Sequence, residues 1–455
     1  MLVTQSSIDY DAIANELTQQ FAAIPAGEQV RLAKRTSNLF RPRTTTAVPR
    51  LHTANLDGVI NIDRTGDVAT ADVLGMTTYE HLTAATLPFS LTPLCVPQLR
   101  TITLGGAVTG LGIESASFRN GCPHESVIEI DILTGTGEII TATGAPDDEH
   151  RDLFYGFANS YGSLGYALRL RIELERTEPF VALQHIRFDS AQEIADAMAH
   201  ITATHEWNGQ RVDYCDGTVF SATEHYLTLG NYEADPGPSR LPSDYTGMQI
   251  YYRSLQQRRE DLLTTNDYLW RWDTDWFWCS RAFGAQNPSI RRWWPKSKLR
   301  SDVYWKLVAF DRKTNVSGRL GRMKGQPPRE PVVQDIEVPV EQLPAFLDFF
   351  QREVGIEPVW LCPVKQRNPD AVWPLYEFDP NTTYVNVGFW STVARTDGGD
   401  PADGRVNRVI EQMVTDLGGR KSLYSTSYYD RDTFADLYGG PVYRELKEKY
   451  DPNHR

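Results

Sequence analysis

The residues whose types and spacing suit them to chemistry are concentrated in Thr101-Ile-Thr-Leu-Gly-Gly-Ala-Val-Thr-Gly-Leu-Gly-Ile-Glu-Ser115 and its tail Phe118-Arg119-Asn120-Gly121. Glycines at 105, 106, 110, 112 and 121 alternate with threonines at 101, 103 and 109. A backbone without Cβ atoms can approach a bulky anion closely and offer it N–H groups, so the run predicts a pyrophosphate-binding loop. The spacing lacks G-x-x-x-x-G-K-[ST], and it does not place G-x-G-x-x-G between a strand and a helix. Both omissions argue against a P-loop and a Rossmann turn. Taken alone, the run also reads as a structural turn.

The rest of the chain bounds what this loop can serve. At 455 residues there is room for two or three domains with cores of their own. A net charge of −13 argues against nonspecific nucleic-acid binding. No apolar run approaches the roughly 18 residues that span a bilayer, and Met1-Leu-Val-Thr-Gln-Ser-Ser7 does not read as a signal peptide. A cytoplasmic protein is expected. Cysteines at 95, 122, 215, 279 and 362 are scattered, with no C-x-x-C, and the histidines show no H-x-x-x-H pairing, so no metal centre is expected.

The elements that must position the loop read as follows. Residues 9–23 space Ile13, Leu17 and Phe21 for an amphipathic helix, and Val30 to Phe40 reads as a short strand entering a polar turn. Val59–Asp63 and Val68–Asp72 read as paired strands, and Met76–Thr86 as a helix. Ser126–Leu133 and Glu138–Ala142 form a predicted hairpin about Gly135-Thr-Gly137. Asp152-Leu-Phe-Tyr-Gly156 and Tyr161-Gly-Ser-Leu-Gly-Tyr166 then lead into a strand, Ala167–Leu174. Beyond Glu178-Pro179 the chain becomes rich in tryptophan and tyrosine, which suggests a second domain.

This order of strand, glycine-rich run, hairpin, Asp-Leu-Phe-Tyr and Gly-Ser-Leu-Gly resembles the FAD-binding domain of the FAD-linked oxidase family that includes vanillyl-alcohol oxidase. The resemblance implies an α+β, two-domain flavoprotein of the vanillyl-alcohol oxidase type. Its FAD-binding (PCMH-type) domain would span residues 1–177 and its substrate cap residues 178–455, with the last residues returning towards the flavin. It implies FAD contacts at Thr101, Thr103, Leu104, Gly105, Gly106, Thr109, Gly110, Gly112, Ile113, Glu114, Ser115, Gly121, Gly162 and Gly165. Arg35, Thr36, Ser37 and Asn38 occupy the family's first phosphate loop without its usual glycines or flavin-linking histidine, so noncovalent FAD is expected.

Tyr268–Trp278, Val332–Pro339, Pro358–Pro363, Leu423–Tyr428 and Tyr443–Lys449 resemble the substrate domain of the Δ24-sterol reductases (seladin). A bacterial branch of similar proteins reduces a methylene-bearing fatty-acyl chain to the methyl-branched, tuberculostearic-type product. The resemblance therefore implies reduction of a lipid carbon–carbon double bond, with NADPH as donor and a lipid methyltransferase as a partner acting upstream. An isolated alkene needs an acid before it accepts hydride. Tyr428 and Tyr424 are candidates because an even spacing on a strand places both on one face, and Glu377 is a carboxylic-acid alternative. Arg291, Arg292, Trp293 and Trp294, with Trp276 and Trp278, suggest a lipid entry at the inner face of a membrane. Competing readings are an FAD-dependent oxidase of sugars, alditols or aldonolactones, and a degenerate relative kept as a partner subunit.

Overall fold

The structure, a computed structural model, describes residues 3–4, 8–34, 40–41, 48–314, 318–319 and 323–455. Among these, one antiparallel sheet takes its strands from residues up to 176 and a second takes its strands from residue 180 onward.

The first sheet is centred on Tyr166–Arg176, which pairs with Ala69–Leu74 on one side and Val127–Leu133 on the other. Leu170, Ile172 and Leu174 are buried with Ala71, Val73, Ile130 and Ile132 in one core. Leu168, Leu74 and Leu133 enter a smaller core under helix Tyr10–Ala22. On the polar side Arg169 meets Asp72, Glu129 and Asp131 at 2.5–2.8 Å, and Tyr10 donates to Asp131 at 2.7 Å.

The second sheet runs in the order 260–264, 180–188, 224–233, 214–221, 359–364, 384–394, 329–339, 420–421. Helices Ala191–Thr204, Leu343–Glu353 and Arg405–Asp416 cover one face. Ile194, Met198, Phe346, Phe350, Ile410 and Val414 pack there against Val332, Ile336, Val338, Val385 and Val387. Because side chains alternate along a strand, the residues between these apolar positions face the other way, towards the glycine-rich run.

Expected elements recur with shifted ends: the helix expected over 76–86 starts at Tyr79, where Thr78 caps it by accepting from His81 N. The glycine-rich run is not an open loop. Leu104–Thr109 is a short helix whose N-cap is Thr103. The segment after Arg420–Lys421 is irregular rather than a strand. The final helix, Gly440–Tyr450, lies on helix Arg151–Phe157. Leu446 fills the space beside Gly156, Tyr450 donates to Asp152 at 2.7 Å, and Lys447 donates to the Ser163 carbonyl at 2.6 Å.

Gly75 is where the run meets the first sheet. Gly105 N donates to the Gly75 carbonyl at 2.9 Å, and a Cβ on Gly75 would collide with the Ala167 carbonyl. Backbone cannot retreat here as a side chain would, so Gly75→Ala should cost about 2–3 kcal/mol. Denaturant unfolding of the variant against wild type measures this.

Candidate active site

A cavity of about 220 Å³ separates the glycine-rich run from the second sheet. Thr101, Thr103, Gly106 and residues 109–113 line one side, and Tyr161 joins them. The run presents surface more than free donors. Gly105 N is bonded to Gly75 O, Gly106 N to Thr103 Oγ1, Ala107 N to Thr103 O and Gly110 N to Gly106 O. The expected ring of amides is therefore corrected at these positions: the run spends them on folding into a helical turn. What its glycines provide is close approach, since a Cβ on Gly112 would lie 2.8 Å from Pro123 and one on Gly105 2.7 Å from Gly75 O.

The opposite wall is a row across three strands. Gly388 is the register partner of both Trp360 and Asp335, so the three share a face. A Cβ on Gly388 would strike the Asp335 carboxylate and lie 2.7 Å from the Trp390 ring, so its absence makes room for both. Two residues along in either direction, Asn386 and Trp390 line the cavity as well. Trp276 and Phe277 close this wall, both at positive φ (45° and 58°), a conformation costing non-glycine residues roughly 1–2 kcal/mol each.

Asp335 is the carboxyl group at the cavity. Asn386 Nδ2 donates to its Oδ1 at 3.3 Å, Tyr424 hydrogen-bonds to it, and Trp390 Nε1 donates to Tyr424 Oη at 2.9 Å. Two donors favour the carboxylate, yet burial outweighs them and pushes Asp335 up to about 7. Glu337, two residues along on the same face, is pushed to about 8 by burial while accepting from Tyr376 and from Ser422 at 2.9 Å. Burial raises the Tyr424 phenol well above its ordinary value, with Asp335 adding to the effect.

A buried ion network fixes the run against this wall. Arg271 contacts Glu114 at 3.3 Å, Ser115 at 3.2 Å and Asp216 at 3.1 Å, with its guanidinium 3.9 Å from the Tyr268 ring centroid. Asp216 Oδ2 also accepts from Trp272 at 2.8 Å and from Trp360 at 3.1 Å. Burial raises Glu114 against the opposing pull of Arg271.

The sequence-based site residues divide sharply. Thr101, Thr103, Gly106, Thr109, Gly110, Gly112, Ile113, Trp276 and Tyr424 line the cavity. Leu104 and Gly105 are buried behind it, and Glu114 and Ser115 belong to the Arg271 network. Gly121, Gly162 and Gly165 serve turns: all three have positive φ, and a Cβ on Gly165 would meet Leu133 O at 2.6 Å. Arg35, Thr36, Ser37 and Asn38 lie outside the described residues, although Lys34 and Phe40 on either side line the cavity.

Tyr428 lies away from the cavity, its ring under Arg408, because the irregular backbone after Lys421 breaks the even-spacing argument. Glu377 is exposed, so the burial that was to make it an acid is missing. Trp278 is buried against Trp390, and Arg291 is buried on Asp275 at 2.7 Å; neither can meet a membrane. Trp294 is half-buried with its Nε1 donating to Lys298 O, whereas Arg292 and Trp293 are exposed. Asp335 and Asn386, which line the cavity, are not among the residues the sequence singles out. The sequence signal for Asp335 is its spacing of two from Glu337 in the strand Arg329–Pro339, where Val332, Ile336 and Val338 alternate with them.

Comparison with known proteins adds an independent line. No protein-family model matches the chain. It is 26% identical over 418 residues to a Delta(24)-sterol reductase of Macaca fascicularis, spanning 87% of this chain and 74% of that protein. It is 24% identical over 405 residues to a Delta(24)-sterol reductase of Arabidopsis thaliana, spanning 84% and 71%. Over most of its length the chain is similar to the Delta(24)-sterol reductases. Cytokinin dehydrogenase 5 of Oryza sativa subsp. japonica is 32% identical over 122 residues, 27% of this chain and 22% of that one. These relatives are oxidoreductases by name, and the α+β architecture accords with the expectation from residues 100–174.

The raised Asp335 pKa carries a stability consequence. From the ordinary value of 3.8 up to about 7 the folded state binds the extra proton, so stability falls as pH rises through that window. Asp335→Asn removes this loss. Urea unfolding should show the variant gaining on wild type between pH 5 and pH 8, by on the order of 2 kcal/mol.

Proposed function

We propose that the protein is an FAD-dependent oxidoreductase that reduces a carbon–carbon double bond in a lipid, with Asp335 as the proton donor. The observation that carries this reading is a carboxyl group raised to about 7 on the wall of a cavity whose other sides are a glycine-rich run and the rings of Phe40, Trp276, Phe277, Trp360 and Trp390. Similarity to the Delta(24)-sterol reductases over most of the chain supports it. In this reading the first sheet and the glycine-rich run hold the cofactor, and the second sheet forms the substrate cap.

The residues present fit FAD. Gly106, Gly110 and Gly112 border the cavity, and aromatic faces stand opposite to receive a flat heterocycle. Asn386 Oδ1 is buried without a hydrogen-bond partner among the described residues, an acceptor suited to a ring N–H. When bound and reduced, FAD supplies the hydride equivalent.

The chain's own task is the proton. An unactivated alkene accepts hydride only when one carbon is protonated, and with a terminal methylene the proton added to CH2 leaves a tertiary cation. Asp335 is acidic enough to donate yet still protonated near pH 7, whereas the raised Tyr424 phenol is a poor acid. The carboxylate left behind is held by Asn386 Nδ2 and Tyr424, while Trp390 fixes Tyr424 from behind. The faces of Trp276, Phe277, Trp360 and Trp390 stabilise positive charge and exclude water. The proposed substrate is a 10-methylene fatty-acyl chain of a phospholipid, with NADPH as donor and a methyl-branched chain as product.

An anaerobic flavin assay tests this. NADPH should bleach the yellow protein, and methylene-bearing phospholipid should restore the oxidised spectrum and yield the methyl-branched product. In Asp335→Asn the bleaching should persist while reoxidation by lipid slows by about 10²–10⁴-fold. Unchanged reoxidation in that variant would remove Asp335 from the mechanism, and turnover only with sterols would shift the substrate.

A further inference from the structure

The outward face of helix Ser301–Thr314 has no counterpart in the site just described. Ser301 and Tyr304 are buried on its inner side, while Lys306, Leu307 and Phe310 face solvent, with Phe310 62% exposed. Leu307 and Phe310, three apart, are neighbours on one helical face. The preceding segment is packed on the same helix through Trp294, whose ring lies 6.1 Å from Tyr304. That segment holds Arg292 and Trp293 out in solvent, Trp293 at 83% exposure.

We infer that this surface, comprising Arg292, Trp293, Lys306, Leu307 and Phe310, docks the protein on an anionic lipid bilayer. Charge selects the occupant. Among the described residues from 290 to 314 the exposed charged side chains are all cationic, Arg292, Lys296, Lys298 and Lys306, with Asp244 and Asp302 beside Lys296 and Lys306, in a chain whose net charge is −13. Exposed tryptophan, phenylalanine and leucine interleaved with cations match the headgroup layer of an anionic membrane. A second copy of this chain would bring the same basic surface against itself, which like-charge repulsion opposes.

Position supports the same occupant. Trp305, on this helix, lies 5.1 Å from the Phe40 ring and 6.2 Å from Trp276, both of which line the cavity. The docking face and the cavity wall are therefore one helix diameter apart, a distance an acyl chain leaving the bilayer can cover. The inference rests on the lipid-reductase reading for what is delivered, but binding itself is read without turnover. Of the lipid-entry residues expected from the sequence it keeps Arg292 and Trp293, which are exposed, and leaves out Trp276, Trp278 and Arg291, which are buried.

The test is cosedimentation of the intact protein with vesicles of equal parts phosphatidylcholine and phosphatidylglycerol. Wild type should pellet with them, dissociate as salt is raised, and stay in solution with phosphatidylcholine alone. Leu307→Asp/Phe310→Asp should bind on the order of tenfold more weakly or worse, with Tm and turnover of detergent-dispersed substrate unchanged. Equal binding by the variant, or no binding by folded wild type, overturns the proposal. A dimer abolished by the variant, without vesicle binding, would assign the surface to self-association and overturn it too. Vesicle binding with the expected pattern but no turnover of any alkene lipid would sustain the docking surface and refute the reductase reading.

Discussion

The fully buried Arg271 guanidinium is the interaction on which the rest of the site depends. It reaches Glu114 and Ser115 at the end of the glycine-rich run and Asp216 on the second sheet, and Asp216 in turn holds the indoles of Trp272 and Trp360. One cation therefore joins the two halves of the cavity. Removing one partner of such a buried set typically costs about 3–5 kcal/mol, because the remaining charge has no solvent to turn to. The backbone reinforces the same seam: Cys215 N donates to Ser115 O at 2.8 Å and Lys365 N to Ser117 O at 3.2 Å.

Desolvation is used differently on the two sides of that seam. Around Arg271 burial raises Glu114 as well, but there a guanidinium pulls against it. Asp335 at the cavity and Glu337 beside it on the strand have only neutral donors, Asn386, Tyr424, Tyr376 and Ser422, so burial dominates and favours the protonated acid. Neutral donors in place of a guanidinium decide whether a buried carboxyl is structural or chemically available. The strand Arg329–Pro339 accommodates both carboxyls because its apolar residues, Val332, Ile336 and Val338, are committed to the helix layer on the opposite face.

The cavity is also held open by a strained turn. Trp276 and Phe277 occupy left-handed backbone within a segment whose Asp273 is wholly buried, accepting from Arg100 N at 3.1 Å and from Ser301 Oγ at 2.5 Å. Those bonds link the aromatic wall to the start of helix Ser301–Thr314. Among the described residues no helix is long and apolar enough to cross a membrane.

The sequence by itself determined the local elements and the glycine-rich run. Alternation marked the hairpin 127–143, four-residue spacing marked helix Tyr10–Ala22, and the joint order of motifs over 100–174 indicated the class of fold. Local signals suffice there because strand and helix periodicity are short-range properties. What only the tertiary structure decided is which polar residues meet. Asp335, Gly388 and Trp360 are neighbours through strand register across residues far apart in the chain, and no spacing in the sequence announces it. Tyr424 and Tyr428 are separated for the same reason: the backbone after Lys421 is irregular, and one ring turns inward while the other lies under Arg408. Arg291 and Arg292, adjacent and alike in sequence, end on opposite sides of the surface because Asp275 waits inside for only one of them. Burial is a property of the assembled sheets, and burial sets both the acidity of Asp335 and the exposure of Trp293.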